Sequence, residues 1–176
     1  MRRRENFRPG RGGSDGGSGV VHRASHRRFY SQGKKCVGIS SLEAIAYNFQ
    51  GTDGTIVCCM DARCGQVYNA IFRSEGGVIT RQCDDRAIRL EELSQELSGM
   101  SGRIILAGDG AELAHKSTEE KYELAPYILR YQRGSGVCYA ARGRELIDPA
   151  ALMPSYLRLP QAERERLARE GKAVAD

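Results

Sequence analysis

The apolar residues between positions 36 and 146 recur with two spacings, which predict both strands and helices. The clearest pattern covers residues 55–72, where two runs of β-branched and aromatic side chains flank the tetrapeptide Ala62-Arg63-Cys64-Gly65. Such runs around a short connection predict a β-hairpin, because Gly65 can take the positive φ that a tight turn needs. Residues 76–83 have the same character and predict a third strand of an antiparallel meander.

The chain before the hairpin predicts a strand followed by a helix. Residues 36–39 form a short apolar run that is typical of a strand. Ser40 and Ser41 then stand before a helical apolar pattern, where a hydroxyl can accept a hydrogen bond from a free backbone N–H. We expect this helix to end in the glycine-containing turn at residues 50–54.

Helices and strands alternate after the meander. Leu90, Leu93 and Leu97 lie at helical spacing before Gly99, which predicts an amphipathic helix that ends there. The nearly all-apolar residues 103–107 predict a strand buried on both faces. The remaining predicted elements are a helix that begins at residues 111–116, a short strand at 122–126, and a helix over 130–146 with Val137, Ala140 and Ala141 facing inward.

This order of elements predicts an α/β fold of the ribonuclease H-like kind. In such a fold a three-stranded antiparallel meander is followed by alternating helices and strands. The same architecture is shared by the actin, sugar-kinase and Hsp70 (ASKHA) superfamily.

Basic charge is concentrated in the amino-terminal residues. Residues 1–35 contain ten Lys and Arg against two Asp and Glu, a net charge of +8, whereas the rest of the chain has a net charge of −3. Six glycines in the first twenty residues and few apolar side chains predict a disordered tail. Two alternatives are a tail that binds nucleic acid or an acidic membrane surface and an Arg-rich organellar transit peptide.

The cysteines and histidines predict neither a metal site nor a disulfide framework. Six cysteines without a secretory signal indicate free thiols in a reducing, cytoplasmic setting. There is no CxxC pair, and no histidine has ligand-like spacing to a cysteine. Cys58 and Cys59 should point to opposite faces of their strand. No apolar run approaches the roughly 18 residues that span a membrane.

Two short motifs are candidates for chemistry. Asp61 and Arg63 could act as an acid beside a guanidinium, but we favour a structural role in which Asp61 accepts hydrogen bonds from its own loop. Tyr68 is expected to be a ring at the edge of the core. Gly108, Asp109 and Gly110 follow a strand and precede a helix, as phosphate-binding loops do. No Walker lysine follows them, so a simple strand-to-helix turn is favoured and nucleotide binding is the weaker alternative.

Three patches follow one another in the chain: VGISSLEAIA at residues 37–46, MDAR at 60–63 with QVY at 66–68, and PSYLR at 154–158. Together they resemble the TsaB (YeaZ) family, whose members show a V-S-S/T-L-E-A-L-A helix start, a D-A-R-x-x-E-V-Y hairpin and a terminal P-x-Y-L-R. The departure is Gln66, where the family usually has glutamate. The positions that match these motifs are Ser41, Leu42, Glu43, Asp61, Ala62, Arg63, Val67, Tyr68, Pro154, Tyr156, Leu157 and Arg158.

The resemblance implies a two-lobed ASKHA-type protein that does no chemistry itself and binds no cofactor of its own. TsaB proteins pair with the catalytic paralogue TsaD, and the ATPase TsaE joins that pair. The complex transfers a threonylcarbamoyl group from its adenylate, which is made with ATP, to the adenosine beside the anticodon of tRNA. A homodimer is a further expectation, and no membrane partner is expected.

Two segments expected of a full-length family member do not occur, namely an I-L-A-I-D-T strand and a G-P-G-S-F-T-G-x-R segment. We therefore expect the carboxyl-terminal part of such a protein, with a leader read from a shifted frame or a mispredicted start. On this expectation the chain divides into a tail at 1–35, a remnant of the first lobe at 36–54, a ribonuclease H-like lobe at 55–160 and a charged helix or tail at 161–176.

Two other functions are open at this point. The chain could be an RNA-binding module that acts through its basic tail. It could also be a metallopeptidase, since relatives in this superfamily were once labelled glycoproteases. That activity would need clustered metal ligands, and the sequence has no H-x-x-x-H motif.

Overall fold

The computed structural model describes residues 33–153 together with Leu157 and Arg169. These residues divide into two compact units, one containing residues 33–36 and 146–153 and the other containing residues 37–145. Several predictions lie outside the described residues: the disorder of the tail up to residue 32, the charged helix after residue 160, and the motif positions Pro154, Tyr156 and Arg158.

The larger unit is built on a mixed sheet of six strands. Strand β1 lies centrally, pairs antiparallel with β2 and pairs parallel with β5, and β5 pairs parallel with β6. The hairpin, the buried strand predicted at residues 103–107 and the short strand predicted at residues 122–126 are thereby confirmed. The strand bounds are β1 Gly54–Asp61, β2 Gln66–Glu75, β3 Val78–Arg81, β4 Arg86–Arg89, β5 Ile104–Ala107 and β6 Glu123–Leu124.

Strands β3 and β4 share one edge of β2. Phe72 pairs with Arg81 in the first ladder and Asn69 pairs with Arg86 in the second, so that both ladders run in the same antiparallel sense. Residues 82–85 bulge between them and face only two residues of β2. The predicted third strand is confirmed, but the prediction missed its continuation as β4, because four residues with two arginines give little apolar signal.

The helices agree with the sequence pattern where an apolar stripe is present. Helix α1 begins after Ser40, and helix α2 ends before Gly99, both as predicted. The helix bounds are α1 Ser41–Ala46, α2 Leu90–Ser98, α3 Ala111–Ser117, α4 Tyr127–Arg130 and α5 Gly134–Ala140, with a 3-10 turn at Tyr47–Phe49.

Two predicted elements are wrong in extent. Residues 37–39 form no strand, since only Cys36 makes an isolated bridge. The helix predicted over 130–146 is confined to α5, while α4 precedes it as a separate turn. Ala140 is buried as expected, but Val137 and Ala141 are only half-buried. Gly134 and Gly136 weaken helix propensity here, which explains the short element.

The two faces of the sheet carry two separate apolar cores. One core contains Cys58 together with helix α1, and the other contains Cys59 together with helices α2 and α3. The prediction that these adjacent thiols face opposite sides is confirmed. Burial raises the pKa of Cys59 to about 12 and raises that of Cys58 well above its ordinary value.

The smaller unit is held by a single backbone bridge and a capped turn. Cys36 N–H donates to the Ile147 carbonyl at 2.9 Å, and Ile147 N–H donates back at 2.8 Å. A 3-10 turn at Pro149–Ala151 follows, and the Asp148 carboxylate accepts a hydrogen bond from Ala150 N–H at 2.7 Å. An aspartate before a proline-initiated turn is a favoured cap.

None of the described helices has both the length and the apolar content to cross a bilayer.

The division of the thiols between core and surface can be measured. We expect a thiol-specific reagent to modify Cys64 and Cys138 of the native full chain rapidly, because both are exposed. Cys58 and Cys59 should react only as fast as the protein unfolds, since their thiolates are buried and disfavoured. Mass spectrometry of peptides over a labelling time course would show the order, and early modification of Cys58 or Cys59 would contradict the structure.

Candidate functional site

The two motifs that the sequence singled out lie against each other. Strands β1 and β5 run parallel, with Cys58 opposite Ala107, so their carboxyl ends meet at one edge of the sheet. The turn after β5 therefore packs on the end of β1. Asp61 N–H donates to Asp109 Oδ1 at 3.3 Å. In open α/β sheets this edge is where ligands commonly bind.

Both glycines of the turn are required by strand β1. A Cβ at Gly108 would lie 1.9 Å from the Cys59 carbonyl oxygen, and Gly108 has a φ of +101°. A Cβ at Gly110 would lie 2.9 Å from the Asp61 backbone nitrogen. Gly110 N–H also donates to the Cys59 carbonyl at 3.0 Å. The glycines thus serve close backbone packing inside the protein, which supports the strand-to-helix turn.

A salt bridge and a backbone bond anchor the same turn from the other side. Gly108 N–H donates to the Arg130 carbonyl at 2.7 Å. The Arg130 guanidinium donates to the Ala125 carbonyl at 3.0 Å and to Glu112 at 2.5 Å. Helix α4 and the start of helix α3 are therefore tied to the turn by one arginine.

The Asp61 carboxylate stabilises its own hairpin loop. Its Oδ1 accepts a hydrogen bond from Arg63 N–H at 2.7 Å. Arg63, Cys64 and Gly65 all have left-handed φ, at 63°, 52° and 74°. Two successive non-glycine residues in this region store strain that the Asp61 contact offsets. The predicted local role of Asp61, as an acceptor of hydrogen bonds from its own loop, is confirmed.

The other hairpin motif residues belong to the cores. Val67 is fully buried in the core that contains Cys59, and Ala62 is nearly buried. Tyr68 is half-buried and packs against the core that contains Cys58, as expected for a ring at the core edge.

Gln66 is the one departure from the family motif within the hairpin, and it is buried. Its backbone closes the loop, because Gln66 N–H donates to the Arg63 carbonyl at 3.1 Å and Ala62 N–H donates to the Gln66 carbonyl at 3.0 Å. Its Oε1 is one of two buried side-chain atoms among the described residues that have no hydrogen-bond partner, the other being Nδ1 of His115.

A cluster of charges surrounds Glu43, whose side chain is 11% exposed. Ser40 Oγ accepts from Glu43 N–H at 3.3 Å, as the predicted cap, and donates to Asp85 at 2.5 Å. Arg81 binds Asp85 at 2.6 Å and Glu43 at 3.6 Å, and Arg144 also pairs with Glu43. We name Ser40, Glu43, Arg81, Asp85 and Arg144 the Glu43 cluster.

The cluster also explains the charge state of Arg81. Burial by itself would lower the pKa of Arg81, but the hydrogen bond from Arg81 to Asp85 and the charges of Asp85 and Glu43 outweigh burial and hold it above its ordinary value. Arg81 further lies over the ring of Phe72, 4.7 Å from its centroid.

Sequence reasoning missed Arg81, Asp85 and Arg144. Asp85 lies in the bulge between β3 and β4, and Arg144 lies 101 positions from its partner. Arg81 and Asp85 are four positions apart, but no local spacing links either of them to Glu43 or to Arg144. The available signal was Glu43 itself, an acid on the face of a helix whose other members are all apolar.

Among the described residues, no group of three or more His, Cys, Asp or Glu side chains is arranged to hold a metal ion.

The fold defined by these residues is a mixed α/β fold that is also found in solved YeaZ structures. One is an uncharacterized protein with similarity to peptidase YEAZ from Pseudomonas aeruginosa, with a TM-score of 0.61 and 17% identity over 78% of this chain and 66% of that one. Another is YeaZ from Pseudomonas aeruginosa, with a TM-score of 0.57 and 15% identity over 77% of this chain and 66% of that one.

A curated relative extends this likeness to sequence. The chain is 28% identical over 129 residues to the tRNA threonylcarbamoyladenosine biosynthesis protein TsaB of Bacillus subtilis, covering 71% of this chain and 56% of that protein. No family model matches. The resemblance seen in the motifs is thereby confirmed, and the chain is similar to TsaB (YeaZ) proteins in sequence and in fold. It spans a little over half the length of this curated relative.

Replacing Gly108 by alanine tests the packing of the turn. Gly102 is a matched control, because its φ is +89° but nothing lies within 4 Å of its Cβ position. We expect Gly102→Ala to cost about 1–2 kcal/mol through backbone strain alone. Gly108→Ala should cost about 1–3 kcal/mol more, since the methyl group overlaps a carbonyl. Urea unfolding would measure both, and equal losses would contradict the close packing of the turn on β1.

Neutralising Glu43 tests the buried cluster. Glu43→Gln should lower the free energy of unfolding by about 1–3 kcal/mol, because Arg144 loses its paired charge and Arg81 keeps only Asp85. Glu75→Gln is the control, since Glu75 pairs with Arg73 at 3.5 Å on the surface and should change stability by less than about 1 kcal/mol. Thermal or urea unfolding of the full chain would give both values. A Glu43→Gln variant as stable as the control would show that the cluster contributes nothing.

Proposed function

We propose that this chain acts as a non-catalytic subunit in the installation of threonylcarbamoyladenosine on tRNA. The proposal is supported by its 28% identity to a protein named for that biosynthesis. The match covers 56% of that relative, so its activity is proposed for this chain and not transferred to it as a finding.

The single observation that carries the non-catalytic part is the internal use of Asp61. This acid sits at the carboxyl end of β1, where a catalytic carboxylate would be expected, but its Oδ1 is bound to the backbone of its own loop at 2.7 Å. Asp109 accepts from the Asp61 backbone at 3.3 Å, and the glycines beside it face β1. The polar groups at this edge therefore maintain the fold.

We also infer a ribonuclease H-like fold of the ASKHA kind. The sheet order β3-β2-β1-β5-β6, with β2 antiparallel and β1, β5 and β6 parallel, supports it. If β3 and β4 are counted as one bulged strand, the meander and the alternating units have the predicted order.

The proposed partners, substrates and compartment are based on the likeness to TsaB. A TsaD-like paralogue would be the direct partner, a TsaE-like ATPase would join the pair, and tRNA would meet the assembled complex. ATP and threonylcarbamoyl adenylate would be consumed by the complex and not by this chain. Such an assembly would lie in the cytoplasm.

Substitution of Asp61 separates the structural role from a catalytic one. Asp61→Asn retains an oxygen that can accept from Arg63 N–H, so we expect it to keep full tRNA modification in a reconstituted complex. Asp61→Ala removes the acceptor and should lower stability by about 0.5–2 kcal/mol, as loss of a local cap does. A loss of activity of two or more orders of magnitude in Asp61→Asn, with normal stability, would instead assign the acid to the chemistry.

The subunit proposal itself is tested by capture on a tagged TsaD-like protein. We expect the full chain to be retained, with Bacillus subtilis TsaB as the positive control. A parallel sample fuses the chain to the amino-terminal lobe of a full-length relative. If neither sample is retained while the control is, the proposal is wrong.

A further inference from the structure

A surface segment rich in tyrosine and arginine is not used by the functional site. Residues 127–144, YILRYQRGSGVCYAARGR, contain three tyrosines and four arginines and no acidic residue. Helices α4 and α5 lie within it. We name these residues the tyrosine–arginine segment.

The aromatic rings of this segment are directed to the surface. Helix α4 buries none of its residues. Tyr127 is 75% exposed, Tyr139 is 47% exposed and Tyr131 is 38% exposed. The rings of Tyr127 and Tyr131 meet edge to face, with centroids 5.1 Å apart. Large exposed rings without a core to join are unusual for a surface helix and indicate a binding role.

The backbone beneath these rings is firmly held. Asn48 Nδ2 donates to the Leu129 carbonyl at 2.9 Å and to the Tyr131 carbonyl at 2.8 Å. Helix α5 lies directly on helix α1, because a Cβ at Gly136 would come within 2.1 Å of the Ala44 carbonyl oxygen. The tyrosines are therefore presented from a fixed scaffold, which reduces the entropy lost when a ligand binds.

Two of the four arginines have uncompensated charge. Arg130 is paired with Glu112, and Arg144 is paired with Glu43. Arg133 and Arg142 are exposed, and neither has an ion-pair partner among the described residues. The segment thus carries three exposed rings and two guanidinium groups that have no ion-pair partner among the described residues, although residues 36–176 as a whole carry net negative charge.

We propose that the tyrosine–arginine segment binds single-stranded RNA, with bases stacked on Tyr127 and Tyr131 and phosphates contacted by Arg133 and Arg142. Aromatic faces with interleaved cations form the common recognition surface for unpaired nucleotides. Tyrosine and arginine are also enriched at protein interfaces. RNA is favoured here because the segment has four arginines and no acidic residue, which complements a polyanion. The choice of RNA as the ligand rests on the proposed function in tRNA modification.

Fluorescence anisotropy with two labelled probes would test the binding. The probes are a 12-nucleotide unstructured RNA and a tRNA anticodon stem-loop, and the protein is the full chain. We expect Tyr127→Ala and Tyr131→Ala each to weaken binding about fivefold or more, while Tyr131→Phe retains wild-type affinity because its ring can still stack. Arg133→Ala/Arg142→Ala should reduce the slope of log K against log salt concentration by about 1.4.

Two controls test whether the effects are specific to this surface and whether the fold is retained. Arg89→Ala removes an exposed arginine of strand β4 and should leave the affinity unchanged. Circular dichroism of each variant checks that the fold is retained. If the tyrosine and arginine variants bind RNA with wild-type affinity and salt slope, the proposal is overturned.

The outcomes also separate this proposal from the subunit role. If the same variants lose capture on a TsaD-like protein but bind RNA normally, the segment is a protein interface and the RNA proposal is wrong. If they lose RNA binding and keep that capture, both proposals stand. A chain that is never captured but binds RNA through this segment would overturn the subunit role alone.

Discussion

One partly buried carboxylate connects the parts of the larger unit that are far apart in sequence. Glu43 lies in the first turn of α1 and is shared between Arg81 on β3 and Arg144 after α5. A charge in such a place is tolerated only when it is paired and hydrogen-bonded. The position of α1 on the sheet, the course of the chain after α5 and the orientation of Arg81 toward Asp85 therefore depend on one another. The same cluster places a family-motif position, Glu43, in a structural role.

The contact between the hairpin and the turn after β5 depends on close backbone packing and hydrogen bonds, and not on an ion pair. Gly108 and Gly110 allow the turn to touch the end of β1, and Asp61 and Asp109 satisfy backbone donors there. An edge that commonly carries ligands in α/β proteins is thereby occupied by the protein's own groups. Both acids at this edge accept hydrogen bonds from backbone groups of the hairpin.

Much of the fold could be predicted because periodicity and turn chemistry are local. The hairpin around Gly65, the α2 stripe of Leu93 and Leu97, and the fully buried β5 were all visible in short windows. The Glu43 cluster and the Asp61–Asp109 contact could not be predicted, since each joins residues more than 40 positions apart. Strand β4 was missed for a different reason, because it is stabilised by pairing with β2 and not by its own apolar content.

The bulge at residues 82–85 also controls what can happen at the open edge of the sheet. An uninterrupted strand beside the ten residues of β2 would offer a long row of unpaired N–H and C=O groups, which is a template for a foreign strand. The bulge divides this row into two stretches of four residues, and the exposed Arg89 adds charge at the end of the second stretch. The irregularity that brings Asp85 to the Glu43 cluster therefore also shortens the edge with which a foreign strand could pair.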